Sequence, residues 1–353
     1  MSKIKVASLT GSRTLPSSRF RVRQHVDRLA THGIQISDFP QPFGAEILLS
    51  KLGLGQRLRD VPKYWHKALL LESRQFMFIL QKVCASYFYD VIWLSREMYP
   101  GRLTGERFLK KPMVFDVDDA IWLNKPGGKE LCMATAKRSE VIIAGNDFIA
   151  DWFSNYNKNV HVVPTAVDAL IYKKYERRSD RFTIGWIGTS SNFESLRLIL
   201  NPLKSFFQLF PDARFLIVSD KNPNFDLLPI NLEFIPWSEE AEVSLINSFD
   251  IGVMPLKNDE WSRGKCSFKM LQYMACEVPC VVSPVGMNLD IIKQFDCALA
   301  AQSEQDWLSA LIALYQDAML RKSLAQKSRH VIEQNYSSEH ISKLLSGVFH
   351  KLI

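Results

Sequence analysis

Residues 182–200 read FTIGWIGTSSNFESLRLIL, an apolar strand that ends at Gly188 and is followed by small hydroxyl residues and a helix. Glycine lets the backbone approach a ligand closely, and a helix N-terminus offers amide groups and a positive dipole end to a phosphate. Gly188, Thr189 and Ser190 are therefore candidate phosphate-binding residues. The stretch is neither a Walker A motif nor a dinucleotide fingerprint, and a tight turn with an ordinary helix cap is the open alternative.

Short β-branched strands alternate with amphipathic helices on both sides of this stretch, which predicts parallel sheets covered on both faces. A charged segment without apolar periodicity, residues 168–181, separates two such series and reads as a linker. The chain is long enough for two domains of ordinary size, since it has 353 residues. We therefore predict an α/β fold of two tandem Rossmann-like, doubly wound domains with a cleft between them, where ligands of such folds bind.

The composition is that of an ordinary globular protein, with 47% hydrophobic and 23% charged residues. Apolar runs fall short of the roughly 18 residues that a membrane-spanning helix needs, and no signal-peptide core is present, so we expect a cytoplasmic protein. The six cysteines are widely scattered and suggest reduced core residues rather than a zinc site. No metal site is predicted.

Charge is distributed unevenly along the chain. Residues 1–178 hold 28 Lys and Arg against 17 Asp and Glu, whereas the whole chain has a net charge of +7. A one-sided positive field indicates a polyanionic partner, which could be a nucleic acid, an anionic membrane surface or a phosphorylated substrate. An unremarkable basic surface is the alternative.

A second motif lies at residues 263–275, RGKCSFKMLQYMA. Arg263, Lys265 and Lys269 fall within seven residues at the start of a predicted helix, where cations are unfavourable unless an anion binds there. Lys265 and Lys269 are four residues apart and so share a helix face. This arrangement indicates a pyrophosphate site, and a solvated basic turn is the alternative.

This region resembles the donor-binding segment of the GT-B glycosyltransferases of group 1, also called glycosyltransferase family four. The resemblance rests on residues 269–275 (KMLQYMA), Pro279 and residues 281–283 (VVS), and in the first half on residues 164–168 (PTAVD). It extends over nearly the whole chain and is strongest over 183–286. It implies transfer of a sugar from a nucleotide-diphosphate sugar, with UDP- and GDP-sugars as the expected donors. Such a transfer usually retains the anomeric configuration and uses no bound metal or other cofactor.

The resemblance also implies a domain plan and a set of donor residues. The domains are 1–175 for the acceptor, 176–335 for the nucleotide-sugar, and 336–353 as a helix that crosses back to the first domain. The family usually has two glutamates eight residues apart, and Gly264 and Gln272 stand in their places. Gln272 can still bind ribose hydroxyls, whereas Gly264 has no side chain. The predicted donor-binding residues are Gly188, Thr189, Ser190, Arg263, Lys265, Lys269 and Gln272.

A cluster of aspartates, Asp116, Asp118 and Asp119, follows the strand predicted at 112–116. Three carboxylates in four residues repel one another, so the cluster could bind metal, hold a proton or position acceptor hydroxyls. We favour acceptor binding, with Asp118 or Asp119 as general base, and place Arg263 and Lys269 with them as catalytic residues that stabilise the leaving pyrophosphate. Alternatively one aspartate caps the next helix and the others pair with arginines.

Residues 17–23, SSRFRVR, follow the first strand and open a predicted helix, with Ser18 as N-cap and Gly33 as its C-terminal stop. Their arginines could clamp an anionic acceptor or could simply lie on a solvated face. The predicted acceptor-binding residues are Ser12, Arg19, Arg21 and Asp116.

Residues 48–89 mix Leu, Phe, Trp and Tyr with Lys and Arg. Leu52, Leu54, Leu58, Tyr64, Trp65, Leu69, Leu70, Phe76 and Phe78 are candidates for a membrane-facing or acceptor-facing surface, because a basic amphipathic helix can lie on anionic lipid. Helices that cover the sheet are the alternative reading.

The leading hypothesis is a glycosyltransferase that acts on a glycan or lipid-linked acceptor in cell-surface polysaccharide or glycoconjugate synthesis, with peripheral contact to the inner face of the cytoplasmic membrane. A catalytically inactive GT-B scaffold that binds nucleotide-sugar or glycan is the second hypothesis, motivated by Gly264 and Gln272. Nucleic-acid binding is not expected, since no recognised motif is present.

Overall fold

The computed structural model describes residues 3–13, 15–41, 65–175, 181–223 and 231–353, with the side chains of 65–75 left out. The chain forms two compact units, Met1–Thr165 with Ile341–Ile353, and Ala166–His340. The boundaries thus fall ten residues before the predicted 175/176 division and five residues after the predicted 335/336 division.

Pairing within the second unit accounts for these boundaries. The Val167 amide donates to the Tyr336 carbonyl at 2.9 Å, and the Ser338 amide donates to the Val167 carbonyl at 3.0 Å. Part of the predicted linker therefore pairs with the segment that ends the second unit, and Tyr172 in the same stretch is buried. Residues 176–180 of the predicted linker lie outside the described residues.

The first unit holds a six-stranded parallel sheet with the order β2-β1-β3-β4-β5-β6. Its strands are rich in Val, Ile and Leu and are buried at the centre, as parallel strands covered on both faces require. The strands are β1 (Ile4–Ser12), β2 (Ile34–Gln41), β3 (Val91–Ser95), β4 (Met113–Val117), β5 (Val141–Ala144) and β6 (Val160–Val162).

The helices described in the first unit are α1 (Val26–Thr31), α2 (Trp65–Ser86), α3 (Gly128–Arg138) and α4 (Asp147–Ser154), and the last helix of the chain is Ser338–His350. The predicted helix after β1 is irregular, because a π turn (Ser18–Val22) and a 3-10 turn (Arg23–His25) precede α1. Ser17 rather than Ser18 occupies the N-cap position, and Ser18 is buried inside the first turn. Gly33 follows with φ +78°, which confirms it as the stop.

The second unit repeats the plan, with the order β12-β11-β10-β7-β8-β9. All its strand pairs are parallel, which confirms the predicted fold class of two doubly wound α/β units. The strands are β7 (Thr183–Ile187), β8 (Arg214–Ser219), β9 (Leu232–Pro236), β10 (Ile251–Met254), β11 (Cys280–Val282) and β12 (Leu299–Ala300).

The helices of the second unit are α5 (Phe193–Leu196), α6 (Leu200–Leu209), α7 (Glu242–Asn247), α8 (Glu260–Arg263), α9 (Phe268–Ala275), α10 (Met287–Phe295), α11 (Glu304–Gln316) and α12 (Ala318–Val331). Ser303 caps α11 with a full capping box, as expected from the sequence. The core lies on one side of the sheet around Trp186, Phe215 and Trp307.

Aromatic rings lie directly on the two central strands of the second unit. A Cβ on Gly185 of β7 would lie 2.1 Å from the Phe249 ring, and one on Gly252 of β10 would lie 2.5 Å from the Tyr273 ring. These glycines therefore let Phe249 and Tyr273 cover the sheet at a distance that no other residue allows.

We predict that Gly185→Ala lowers the free energy of unfolding by about 1–3 kcal/mol, since the ring of Phe249 must move out of a packed core. Urea unfolding measures the change. Gly347→Ala is the matched control, because a Cβ there meets nothing within 4 Å and the helix gains about 1 kcal/mol from losing a glycine. Equal stability of Gly185→Ala and the wild type would contradict the packing described.

Candidate functional site

The carboxyl end of β7 brings a lysine and a glycine together. Lys269, the second residue of α9, passes over Gly188, where a Cβ would lie 2.4 Å from the Lys269 Cε. The Lys269 ammonium lies 5.5 Å from the ring centroid of Trp186, which is buried. The missing side chain at Gly188 therefore creates the passage through which Lys269 reaches the end of the strand, and the indole face below is favourable for a cation.

Lys265 approaches the same turn from the other side. Its ammonium donates to the Asn192 Oδ1 at 3.3 Å and lies 5.4 Å from the Trp261 ring centroid. The Asn192 amide donates in turn to the Thr189 hydroxyl at 2.9 Å. The structure thus brings Gly188, Thr189, Lys265 and Lys269 together, as predicted, at the carboxyl end of the central strand.

The start of α9 lies beside these lysines. Ser267 precedes the helix with φ +51° and is buried, and its side chain makes no capping hydrogen bond. The dipole of α9 adds positive potential at its N-terminus. Two ammonium groups and a helix N-terminus therefore point to an anion of high charge density.

Ser190 differs from its predicted role, because its amide is not free for a phosphate. The Ser190 amide donates to Asp220 Oδ1 at 2.6 Å and its hydroxyl donates to Oδ2 at 3.0 Å. Burial alone raises the pKa of Asp220, but the hydrogen bonds from Ser190 and Ser219 outweigh burial and lower it. We missed Asp220 in the sequence, where its position directly after β8, a neighbour of β7, was the available signal.

Arg263 is exposed at the end of α8, where its guanidinium donates to the Asn258 Oδ1 at 3.1 and 3.3 Å. Gly264 is buried and follows it directly. The role of Arg263 toward a pyrophosphate stays a prediction. The side chains of Lys265 and Lys269 do meet the turn at 188–192.

Gln272 has an interior position. Its amide donates to Glu242 Oε1 at 2.7 Å and to the Tyr172 hydroxyl at 3.4 Å, and the Tyr172 hydroxyl donates to Glu242 Oε2 at 2.8 Å. All three side chains are buried. These contacts describe an anchor for α9 rather than a ribose ligand, and sequence reasoning missed Glu242 and Tyr172 because they lie 30 and 100 residues from Gln272.

In the first unit, Arg21 and Asp116 bind each other. Arg21 Nη2 lies 2.6 Å from Asp116 Oδ1, both side chains are almost fully buried, and the Trp93 indole donates to Asp116 Oδ2 at 3.0 Å. Burial raises the pKa of Asp116, and the charge of Arg21 opposes the shift. Arg21 also donates to the Val163 carbonyl at 2.7 Å. The pair predicted to bind acceptor is therefore a buried link between elements of the unit.

The other two aspartates share one arginine. Arg96 Nε lies 3.6 Å from Asp118 Oδ1, and Arg96 Nη2 lies 3.2 Å from Asp119 Oδ2. Arg96 follows β3 with φ +62°, a left-handed conformation that is strained for a residue with a side chain. Of the alternatives for this cluster, pairing with arginines is what the structure contains. No group of three His, Cys, Asp or Glu that could hold a metal occurs among the described residues.

The remaining acceptor candidates lie near β1. Ser12 is buried, and its carbonyl accepts from the Leu15 amide at 3.2 Å. The Arg19 guanidinium lies 4.6 Å from the centroid of its neighbour Phe20. Arg23 binds Asp38 at 2.8 Å. Acceptor contact by Ser12 and Arg19 stays a prediction.

Glu97 is a carboxyl that the sequence did not single out. Its Oε2 is buried without a hydrogen-bond partner among the described residues, and burial raises its pKa. It follows Arg96 directly, at the carboxyl end of β3. The charge of the adjacent Arg96 opposes this rise in the pKa of Glu97.

Residues 181–317 match the family model described as Glycosyl transferases group 1. No protein of known function in the curated collection matches the sequence. Similar solved structures include sucrose-phosphate synthase from Thermosynechococcus elongatus, at 12% identity over 99% of both chains with a TM-score of 0.70. Anabaena HepE in complex with UDP-glucose is 13% identical over 99% of this chain and 100% of that chain, with a TM-score of 0.71.

A glycosyltransferase from Rickettsia africae is 10% identical over 100% of this chain and 99% of its own, with a TM-score of 0.69. These likenesses define the fold class over nearly the full length as that of the GT-B glycosyltransferases, as the sequence predicted. Residues 181–317 match the model of a group 1 glycosyltransferase domain, which supports a glycosyltransferase.

We predict that Gln272→Glu destabilises the protein by about 3–5 kcal/mol, because it places a second buried carboxylate against Glu242. The swap Glu242→Gln with Gln272→Glu restores one donor and one acceptor and is expected to recover most of the loss. Urea unfolding of both single variants and the double variant gives the coupling energy. Additive effects of the two substitutions would contradict the buried contact.

Proposed function

We propose that the second unit binds a nucleotide-diphosphate sugar, with UDP-sugar as the first donor to test and GDP-sugar as the next. The observation that carries the proposal is the passage of Lys269 over Gly188 beside Lys265. Cations held by a fixed scaffold stabilise the charge that develops on a leaving diphosphate. Complexes of Anabaena HepE with UDP and with UDP-glucose support the choice of UDP.

In the proposed reaction the bond between the anomeric carbon and the diphosphate oxygen breaks, and an acceptor hydroxyl oxygen forms the new bond to that carbon. Lys265 and Lys269 neutralise the departing diphosphate, with Arg263 as a further cation. The hydroxyl proton passes to a carboxylate of the first unit, Asp118 or Asp119, which Arg96 holds in place. The family resemblance supports retention of configuration and a reaction without a bound metal or cofactor.

For the acceptor we propose a glycan or lipid-linked molecule of cell-surface polysaccharide or glycoconjugate synthesis, bound by the first unit at the inner face of the cytoplasmic membrane. The excess of Lys and Arg in residues 1–178 supports a phosphorylated acceptor or one presented at an anionic surface. Among the described residues, no helix combines the length and the apolar character needed to cross a bilayer.

We expect Lys269→Ala to weaken UDP binding by at least about tenfold, because a charge-assisted hydrogen bond contributes roughly 1.5–3 kcal/mol. Gly188→Ala should cause a similar loss with the lysine intact, since the new Cβ occupies the path of the Lys269 side chain. Isothermal titration against UDP, GDP, ADP, CMP and dTDP measures both effects.

Lys204→Ala is the matched control for these variants, as Lys204 is an exposed lysine on α6 of the same unit. UDP affinity of Lys204→Ala should equal that of the wild type. Unchanged affinity in both Lys269→Ala and Gly188→Ala, or the same loss in Lys204→Ala, would refute the proposed donor site.

A catalytically inactive scaffold is the second candidate, favoured by Gly264 and by the engagement of Gln272 with Glu242 and Tyr172. Such a scaffold would bind the nucleotide-sugar without turning it over. Release of UDP from UDP-glucose, UDP-N-acetylglucosamine and UDP-galactose, measured with and without a crude lipid-linked acceptor fraction, separates the two candidates. UDP release that Lys269→Ala abolishes supports the enzyme, whereas tight binding without release from any of these donors supports the scaffold.

A further inference from the structure

The end of α2 exposes its apolar side. Phe76, Met77, Leu80 and Cys84 are exposed, and so are Tyr87 and Phe88 just after the helix. Their spacing of three to four residues places them on one side of the helix, and we call these six residues the apolar face. The exposed fractions are 66% for Phe76 and 81% for Phe88, whereas phenylalanine is usually buried.

The opposite side of α2 packs into the unit. Gly105 lies against this side, where a Cβ would come within 2.5 Å of Ile79 and 3.1 Å of Val83. Lys82 is buried there and its ammonium donates to the Thr10 carbonyl at 3.0 Å. Burial lowers the pKa of Lys82 to about 8, against the opposing charges of Asp38 and Glu106.

An ordinary surface helix turns its polar side chains to water and its apolar ones to the core, and α2 departs from this pattern on its outer side. The helix buries a lysine and exposes phenylalanine and methionine. Contiguous apolar surface of this kind in a globular protein marks an interaction site. We therefore expect the apolar face to contact a partner rather than solvent.

A basic loop is fixed to the apolar face. The Tyr87 hydroxyl donates to the Phe108 carbonyl at 3.1 Å, and the Arg107 guanidinium lies 4.7 Å from the Phe108 ring centroid. The Lys110 amide donates to the Ser86 hydroxyl at 3.1 Å. Residues 102–111 thus border the apolar face, and we call them the basic loop.

The charge of the basic loop is one-sided. Arg102, Arg107 and Lys111 are exposed, and Lys110 is half-buried. The single carboxylate of the loop, Glu106, is fully buried and accepts from the Met98 amide at 2.9 Å and the Thr104 amide at 2.7 Å. Lys111 lies 2.9 Å from Glu140, so part of its charge is balanced. The border of the apolar face remains strongly positive.

We infer that the apolar face and the basic loop together bind the surface of an anionic lipid bilayer. Exposed aromatic rings enter the boundary between headgroups and acyl chains, and the bordering cations meet lipid phosphates. A second copy of the chain fits this surface poorly, because a symmetric contact would bring two basic loops together. The inference rests on the membrane location in the proposed function and names its surface, and it does not depend on the donor site.

Flotation with phosphatidylcholine vesicles, with and without phosphatidylglycerol, tests the inference. The wild type is expected to bind the phosphatidylglycerol-containing vesicles, and less so at high salt. Phe76→Gln with Phe88→Gln should reduce binding by at least about tenfold, since the variant lacks two aromatic rings that enter the bilayer boundary. Arg107→Gln with Lys111→Gln should remove the preference for the anionic lipid.

Leu209→Gln with Met319→Gln is the matched control, because these residues of the second unit are exposed to 58% and 73%. This control should bind vesicles like the wild type. UDP binding by each variant, measured separately, reports whether the protein is folded and keeps a failure here distinct from a failure of the donor site.

Four results would overturn the inference. The wild type could fail to bind vesicles of either composition, or could bind both compositions equally well. The phenylalanine variant could bind as the wild type does. Sedimentation could also show a dimer that the phenylalanine variant dissociates, without any vesicle binding, and a second copy would then be the partner.

Discussion

The contact between Lys269 and the carboxyl end of β7 is the constraint on which the second unit depends. A side chain at residue 188 would occupy the space of the Lys269 methylenes, and the buried ring of Trp186 forms the floor below its ammonium. The helix that carries Lys269 is fixed in turn by Gln272, which bonds to the buried carboxylate of Glu242. The Lys269 ammonium is therefore positioned by packing against Gly188 and Trp186, and its helix is held by the hydrogen bond of Gln272 to Glu242.

In the first unit, the charged side chains at the carboxyl ends of the strands bind one another. Its arginines and aspartates are largely paired with one another, through Arg21 with Asp116 and Arg96 with Asp118 and Asp119. Buried ion pairs of this kind add little net stability but are costly to break, so they fix the strand ends in one arrangement. Glu97 differs from these residues, because its buried Oε2 has no hydrogen-bond partner among the described residues.

The fold class was predictable from the sequence because the hydrophobic periodicity and the residues that cap or end helices indicate the same elements. Alternating strands and helices, Gly33 as a helix stop and the Ser303 cap all match the structure. Lys265 and Lys269 both reach the turn after β7, but they do not share a helix face as predicted, because α9 begins at Phe268 and Lys265 precedes it. The first unit ends ten residues before the predicted 175/176 division, and the pairing of Val167 with residues 336–338 that accounts for this is a long-range contact.

Side-chain partners over long separations could not be predicted in the same way. Gln272 and Arg21 have the residue types of ligand-binding groups, yet each is bound to a buried carboxylate, Glu242 and Asp116, 30 and 95 residues away. Asp220 binds Ser190 from the neighbouring strand end, which no local pattern indicates. Of the sequence-based membrane candidates, Leu52, Leu54, Leu58 and Tyr64, and the side chains of Trp65, Leu69 and Leu70, lie outside the described residues. Phe76 is exposed, whereas Phe78 is half-buried.

The central claim is that Lys269 meets the diphosphate of a nucleotide at the end of β7. A crystal structure of the protein with UDP tests it most directly. The account predicts a diphosphate oxygen about 2.7–2.9 Å from the Lys269 ammonium, the usual distance of a charge-assisted hydrogen bond. A nucleotide bound elsewhere, or a Lys269 ammonium that contacts no phosphate oxygen of the bound UDP, would contradict it.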